Sequence, residues 1–207
     1  MGNVITFSRQ FGSLGRPLAQ KVAEKMGYKF LDPEIIEQAA KRMGKDVEEL
    51  LAYDNQMVIK NHLDGSKYIS MASPLGFGDA AKQAKLYKIE TEIMYEEAEK
   101  GDCVIVGRAA DYLFSKAGKK NVFRVHVTAP YEFRYEQSIS TLELTRVEAT
   151  EHIHIIDKAR AGFYKNVTGE DFNSPLYRDV ILNMEYIDFD DAADLICGLA
   201  TKRFSVG

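Results

Sequence analysis

The residues most able to do chemistry stand near the start of the chain, in the run Phe11-Gly12-Ser13-Leu14-Gly15-Arg16. An apolar run, Val4-Ile5-Thr6-Phe7, leads into it, and a helical pattern with Leu18, Val22, Ala23 and Met26 leads out. Strand, glycine loop and helix start together make an anion cradle. Glycines let the backbone approach a phosphate, and the first N–H groups of the helix, which have no intrahelical acceptor, point at it. Against the phosphate-binding pattern G-x-x-x-x-G-K-[ST] the match is degenerate. With Gly15 in the last glycine position, Arg16 replaces the lysine, Pro17 the hydroxyl residue, and Gln10 the first glycine. Arginine keeps charge-assisted phosphate contacts, whereas proline removes both a hydroxyl that Mg²⁺ could use and a backbone donor. The bland alternative is a plain strand-to-helix turn with Pro17 at the first helical position.

Four further places carry polar groups in suggestive settings. Asp32 follows the short run Lys29-Phe30-Leu31 and precedes Pro33, so it either caps a helix or faces a ligand. Gly107-Arg108 ends the run Cys103-Val104-Ile105-Val106, and strand C-terminal ends are where open α/β sheets bind ligands. Asp111 lies one turn beyond. Arg160, with Asp157 three residues before it on one helical face, is either a charge-neutralising group or a solvated surface arginine. Arg134 can reach a phosphate or pair with Glu136. His152 and His154, spaced by two, point to different helix faces and do not make a metal pair. No Ser-His-Asp set is present, and the scattered tyrosines lack the basic interleaving of a nucleic-acid platform.

Positioning such groups takes a sheet wrapped by helices. The apolar runs at 4–7, 103–106, 122–127 and 180–182, with a short one at 29–31, alternate with long helical patterns, which is the rhythm of a parallel sheet. Asp32-Pro33 opens a helix carrying Ile35, Ile36, Ala39, Ala40 and Met43. Thr145 with Glu148 matches a capping box opening a helix to about Tyr164, and a last helix starts near Asp188. Two stretches rich in turn formers, 64–79 and 168–175, are expected to be loops more mobile than the strands.

The segments FSRQFGSLGRPLAQKVAEKMG, FLDPEII, CVIVGRAADYLF, VTAP followed by EFRYE, and DKARAGFYKNVTG resemble, in order and over nearly the whole chain, the signature blocks of the cytidylate kinase-like family of P-loop phosphotransferases. The resemblance implies an α/β, three-layer P-loop NTPase-type fold, with a parallel central sheet of about five strands flanked by helices. It implies one domain over 1–207, with a helical acceptor-binding insertion at about 45–100 and a lid-like segment at about 145–175. The activity it implies is transfer of the γ-phosphoryl group of ATP, with Mg²⁺, to a small acceptor such as a nucleoside monophosphate. Gly12, Ser13, Leu14, Gly15 and Arg16 would then hold the donor phosphates. Asp32, Arg108 and Asp111 would meet the acceptor, and Arg16, Arg108 and Arg160 would carry the catalysis. Val106 and Ala109 stand where cytidylate kinases have acidic residues, so the metal ligands are not assigned. A nucleotide- or anion-binding protein on the same scaffold is the competing expectation.

Composition fits this. With 27 basic and 31 acidic side chains the formal charge is −4, which gives no overall attraction for nucleic acid or anionic lipid, so any anion site must be built locally. No stretch approaches the roughly 20 apolar residues that cross a bilayer. The start MGNVITFSRQ is too polar for a secretory segment, and Val4 to Phe7 reads as a buried strand rather than the context of an acylated glycine. Cys103 and Cys197 lie in apolar surroundings without CxxC spacing and read as buried thiols. A cytoplasmic location is the expectation, and oligomeric state stays open.

Overall fold

The β-branched run Val4–Arg9 forms the strand β1 at the centre of the sheet, and its alternation decides the layers. The computed structural model describes residues 1–53, 56–59, 69–72 and 80–205. In chain order the elements are β1, α1 (Gly15–Met26), β2 (Lys29–Leu31), α2 (Pro33–Met43), α3 (Val47–Tyr53), β3 (Gln56–Ile59), β4 (Ile69–Ala72) and α4 (Ala80–Lys100). These are followed by β5 (Cys103–Val106), α5 (Ala110–Lys116), β6 (Val122–Thr128), α6 (Tyr131–Leu142), α7 (Arg146–Thr168), a 3-10 turn (Pro175–Tyr177), β7 (Val180–Asn183) and α8 (Phe189–Ser205). Five strands make one parallel sheet in the order β2-β5-β1-β6-β7. A parallel sheet needs a crossover for every connection, and the helices supply them on both faces.

Successive side chains of a strand point to opposite faces, so β1 feeds two cores. Ile5 and Phe7 join Val104, Val106 and Val125 under Leu18 and Val22 of α1 and Ala192 and Ile196 of α8. Val4 joins Cys103, Ile105 and Val122 under Ile35 and Ile36 of α2, Ile93 and Met94 of α4 and Phe114 of α5. Fully buried groups of this kind contribute about 1.5–3 kcal/mol each, and truncating Phe7 to alanine would cost about 3–5 kcal/mol. The fold is therefore the expected three-layer α/β arrangement, with its five-stranded parallel sheet.

The capping box at Thr145 forms as read: the Thr145 hydroxyl accepts from the Glu148 N–H, and the Glu148 carboxylate accepts from the Thr145 N–H at 2.9 Å. The insertion between β2 and β5 is not wholly helical. It contains an antiparallel ribbon in which Gln56 to Ile59 pairs with Ala72 to Ile69. Residues 69–72, expected within a loop, are thus strand, while the rest of the 64–79 expectation lies outside the described residues. The 168–175 loop is tied down by an aromatic that a count of turn formers overlooks. Phe172 is buried against Ala109 and Tyr164, its ring lies edge-on to His126, and its carbonyl accepts from Arg178.

Candidate functional site

The site lies where β1, β2 and β5 end, at the edge of the sheet from which the chain leaves β1 for α1. The loop after β1 is held by side chains rather than by its own backbone. Gln10 donates its N–H to the Val127 carbonyl at 3.0 Å, and its side-chain oxygen accepts from Thr128 and from the Ala129 N–H. The Ser13 hydroxyl donates to the Gln10 carbonyl at 2.9 Å, with the Val127 carbonyl at 3.2 Å. Gly12 has φ 74°, and a Cβ there would meet the Arg134 carbonyl at 2.5 Å, so no larger residue fits. Leu14, also left-handed at φ 61°, leads into α1. Among the described residues, the N–H groups of Gly12, Ser13, Leu14 and Gly15 have no acceptor. The first helical bond runs from the Leu18 N–H to the Leu14 carbonyl. Pro17 thus falls in the first turn, where its missing N–H breaks no helical bond.

Around this cradle stand four arginines. Arg16 Nε donates to Asp32 Oδ2 at 2.5 Å, and its guanidinium lies 5.7 Å from the Phe30 ring centre. Asp32 does not cap α2, as it could have done, because a charge-assisted bond to a guanidinium outweighs one to a helix N–H. Arg9, at the end of β1, is a candidate site residue that the sequence reading missed. Its Nη2 is 4.0 Å from Asp32 Oδ1, and its carbonyl accepts from Arg160 Nη1 at 3.0 Å. Burial depresses Arg9, helped by the charges of Arg16 and Arg108 and opposed by Asp32. Burial and then the charge of Arg9 push Arg160 down to about 9. Cations held this close to one another are electrostatically complementary to an anion. The one clue in the sequence was position: a basic residue directly at the end of the first strand of an α/β sheet.

The turn after β5 is strained. Gly107, Arg108 and Ala109 are consecutively left-handed, at φ 80°, 57° and 50°. This conformation costs roughly 1–2 kcal/mol per non-glycine residue, and such strain tends to gather at functional turns. It carries Arg108 into a buried ion pair with Glu90 of α4 at 3.1 Å. Glu90 was likewise invisible in the sequence, being one of many acidic residues on a long helix.

Two other candidates are held elsewhere. Asp111 is 2% exposed and forms an ion pair with Arg178, with the Tyr164 hydroxyl at 3.4 Å. Asp157 does not bond Arg160. It accepts from the Phe11 N–H at 2.8 Å and from Arg134 at 2.5 Å, while Arg134 also donates to the Phe11 carbonyl. Arg134 pairs with Asp157 rather than Glu136 because α6 and α7 both pack on Phe11, whose ring joins Ile153 and Ile156. The long helix α7 is thus fastened to the loop that makes the cradle. His126 is second from the edge of the sheet, hydrogen bonded to Ser8 at 2.8 Å, and burial pushes it down to about 4.

The donor set of the described residues does not fit Mg²⁺. Magnesium asks for one or two carboxylates free to bind it. Pro17 and Val106 stand where the resemblance places a hydroxyl and a carboxylate, the Ser13 hydroxyl donates to carbonyls and carries no charge, Asp32 holds Arg16 and Asp111 holds Arg178. No group of three or more metal-binding side chains occurs among the described residues. No helix among them is long and apolar enough to cross a membrane.

The sequence profile of the cytidylate kinase-like family matches residues 4–186. No curated protein matches the chain by sequence. Among solved structures, an uncharacterized protein from Eubacterium ventriosum ATCC 27560 is similar with a TM-score of 0.67 at 18% identity, over 96% of this chain and 98% of that one. The shikimate kinase from Bacteroides thetaiotaomicron is similar at 0.53 and 15% identity, over 96% and 98%. A sugar kinase from Janibacter sp. HTCC2649 reaches 0.53 at 12% identity, over 100% and 96%. At such identities the structural likeness shows the P-loop kinase fold and no more.

Proposed function

The chain belongs to the cytidylate kinase-like family of kinase-type phosphotransferases, and on that footing we propose that it moves the γ-phosphoryl group of ATP to a small phosphorylated acceptor such as a nucleoside monophosphate. The observation that carries this reading is the set of four acceptor-less N–H groups at the start of α1, standing beside Arg16 at the end of the sheet where Arg9, Arg108 and Arg160 converge. Gly12 to Arg16 would hold the donor phosphates, with Asp32 aiming Arg16. Arg108, oriented by Glu90, would hold the acceptor, and Arg160 would meet the transferring group. An acceptor oxygen attacks the γ-phosphorus, the bond to the bridging oxygen of ADP breaks, and fixed guanidinium groups stabilise the charge on the equatorial oxygens.

A phosphate acceptor fits better than an alcohol. The second ionisation of a phosphate monoester lies near 6, so its oxygen is already a nucleophile at neutral pH, whereas a hydroxyl needs a base. The carboxylates of Asp32, Asp111 and Asp157 are engaged by arginines, and His126 is occupied by Ser8. The test is a screen of nucleoside monophosphates with ATP, with and without Mg²⁺, following ADP release. Acceptor-dependent turnover that falls by about 10³-fold in Arg108→Ala is the expected result. ATP binding with no acceptor-dependent turnover would instead make the chain a nucleotide- or anion-binding protein. Pro17 and the carboxylates that hold Arg16 and Arg108 favour that second reading.

A further inference from the structure

Arg9 has no role in the phosphoryl-transfer scheme above, yet its environment is among the least satisfied in the protein. A guanidinium carries five N–H donors and no acceptor. The Arg9 side chain is only 11% exposed, its Nε is fully buried, and none of its donors has a hydrogen-bond acceptor among the described residues. Asp32 stands at the outer limit of an ion pair, with its other oxygen given to Arg16. A buried charge with unmade hydrogen bonds is costly and marks either a defect or a group waiting for a partner.

The packing shows that Arg9 is deliberately accommodated. A Cβ on Gly15 would meet the Arg9 Cβ at 2.5 Å, and a Cβ on Gly107 would meet its Nη1 at 2.5 Å. The side chain therefore lies between the cradle and the turn that carries Arg108, and a glycine on each side makes room for it. Arg160, bonded to the Arg9 carbonyl, brings a second cation to the same place. Meanwhile both carboxylates the sequence offered as substitute metal ligands are committed, Asp32 to Arg16 and Asp111 to Arg178, which leaves the neutral Ser13 hydroxyl, whose hydrogen goes to carbonyls.

We infer that Arg9 is the resident cation between the donor cradle and the acceptor turn, and that this site binds a polyphosphate chain directly on guanidinium groups, without a divalent metal. The inference rests on the reading of Gly12 to Arg16 as a phosphate cradle. Arg9 supplies a fixed charge with several donors where magnesium would supply a mobile one. Such binding needs no Mg²⁺, and added Mg²⁺ competes for the phosphate oxygens.

The test is calorimetric titration of the full chain with inorganic tripolyphosphate, in EDTA and in excess Mg²⁺. Wild type is expected to bind in EDTA at least as tightly as in Mg²⁺. Arg9→Met is expected to weaken binding in EDTA by tenfold or more, with Arg9→Lys restoring part of it. The melting temperature of ligand-free Arg9→Met is expected to equal or exceed that of wild type, because an unsatisfied buried charge has been removed. Binding tenfold tighter in Mg²⁺, no binding in either condition, or unchanged binding with a lowered melting temperature in Arg9→Met would each overturn the inference, the last by making Arg9 a structural partner of Asp32. The comparison of EDTA with Mg²⁺ needs no variant, so it decides even where Arg9→Met fails to fold. Tripolyphosphate binding is read without an acceptor. A failed transfer screen therefore leaves this test standing, and magnesium-dependent binding would sink this inference while leaving phosphoryl transfer intact.

Discussion

Replacing Asp111 by asparagine tests whether this residue holds the site together or works in it. The change keeps the shape and the acceptor for the Tyr112 N–H but removes the charge that faces Arg178. Both side chains are 2% exposed or less, and Arg178 Nε has no acceptor among the described residues even with Asp111 in place. Breaking one side of a buried ion pair costs about 3–5 kcal/mol, since the other charge stays buried. Arg178 retains the Tyr164 hydroxyl at 3.2 Å, the carbonyls of Tyr177 and Phe172, and the Tyr164 ring face at 5.0 Å, so the loss should sit near the low end, about 3 kcal/mol. For a chain of this size that is roughly 6–12 °C in melting temperature. Urea unfolding followed by circular dichroism gives the value. The double variant Asp111→Leu with Arg178→Met, which removes both charges, is expected to recover most of the loss. A cost below about 1 kcal/mol, or additive losses in the double variant, would refute the reasoning. Unchanged stability with lost ATP binding would return Asp111 to the acceptor or metal role.

Arg16→Ala removes one charged donor from the cradle and should weaken ATP or tripolyphosphate binding by about 1.5–3 kcal/mol, read by calorimetry; an affinity equal to wild type would remove Arg16 from the site. Gly107→Ala places a methyl 2.5 Å from Arg9 Nη1 at φ 80°, so a stability loss of about 1 kcal/mol or more is expected together with weaker tripolyphosphate binding as Arg9 is displaced. Stability should also fall in acid through His126. Its folded value, about 4, lies below the ordinary 6.5, so between those values the unfolded chain binds the proton and the folded one does not. The stabilisation is complete above 6.5 and declines as pH drops to 4, by roughly 3 kcal/mol in all. Urea midpoints from pH 7 to 4.5 should slope less in His126→Gln, and equal slopes would show that another group titrates.

Local pattern determined much of this protein. The β-branched runs at 4–7, 103–106 and 122–127 became the inner strands, because a strand covered on both faces is apolar at most of its positions. The Thr145 box and the glycine loop before α1 were equally legible, since capping and close backbone approach depend on residues a few positions apart. Gly12, Ser13, Leu14, Gly15 and Arg16 are proposed as the cradle on that local pattern. The ribbon of β3 and β4 was not, because four-residue runs beside turn formers carry little periodicity. Tertiary structure alone decided which charges meet. Asp32 became a partner for Arg16 rather than a cap, Asp157 a fastening for Phe11 and Arg134 rather than a guide for Arg160, and Asp111 the partner of Arg178. Ion pairing follows distance and burial in the folded chain, and sequence separation holds neither. Arg9 shows this most directly: in the sequence it is one basic residue ending a strand, and only the closing of Gly15 and Gly107 on either side makes it a buried cation 4.0 Å from Asp32 with no hydrogen-bond acceptor among the described residues.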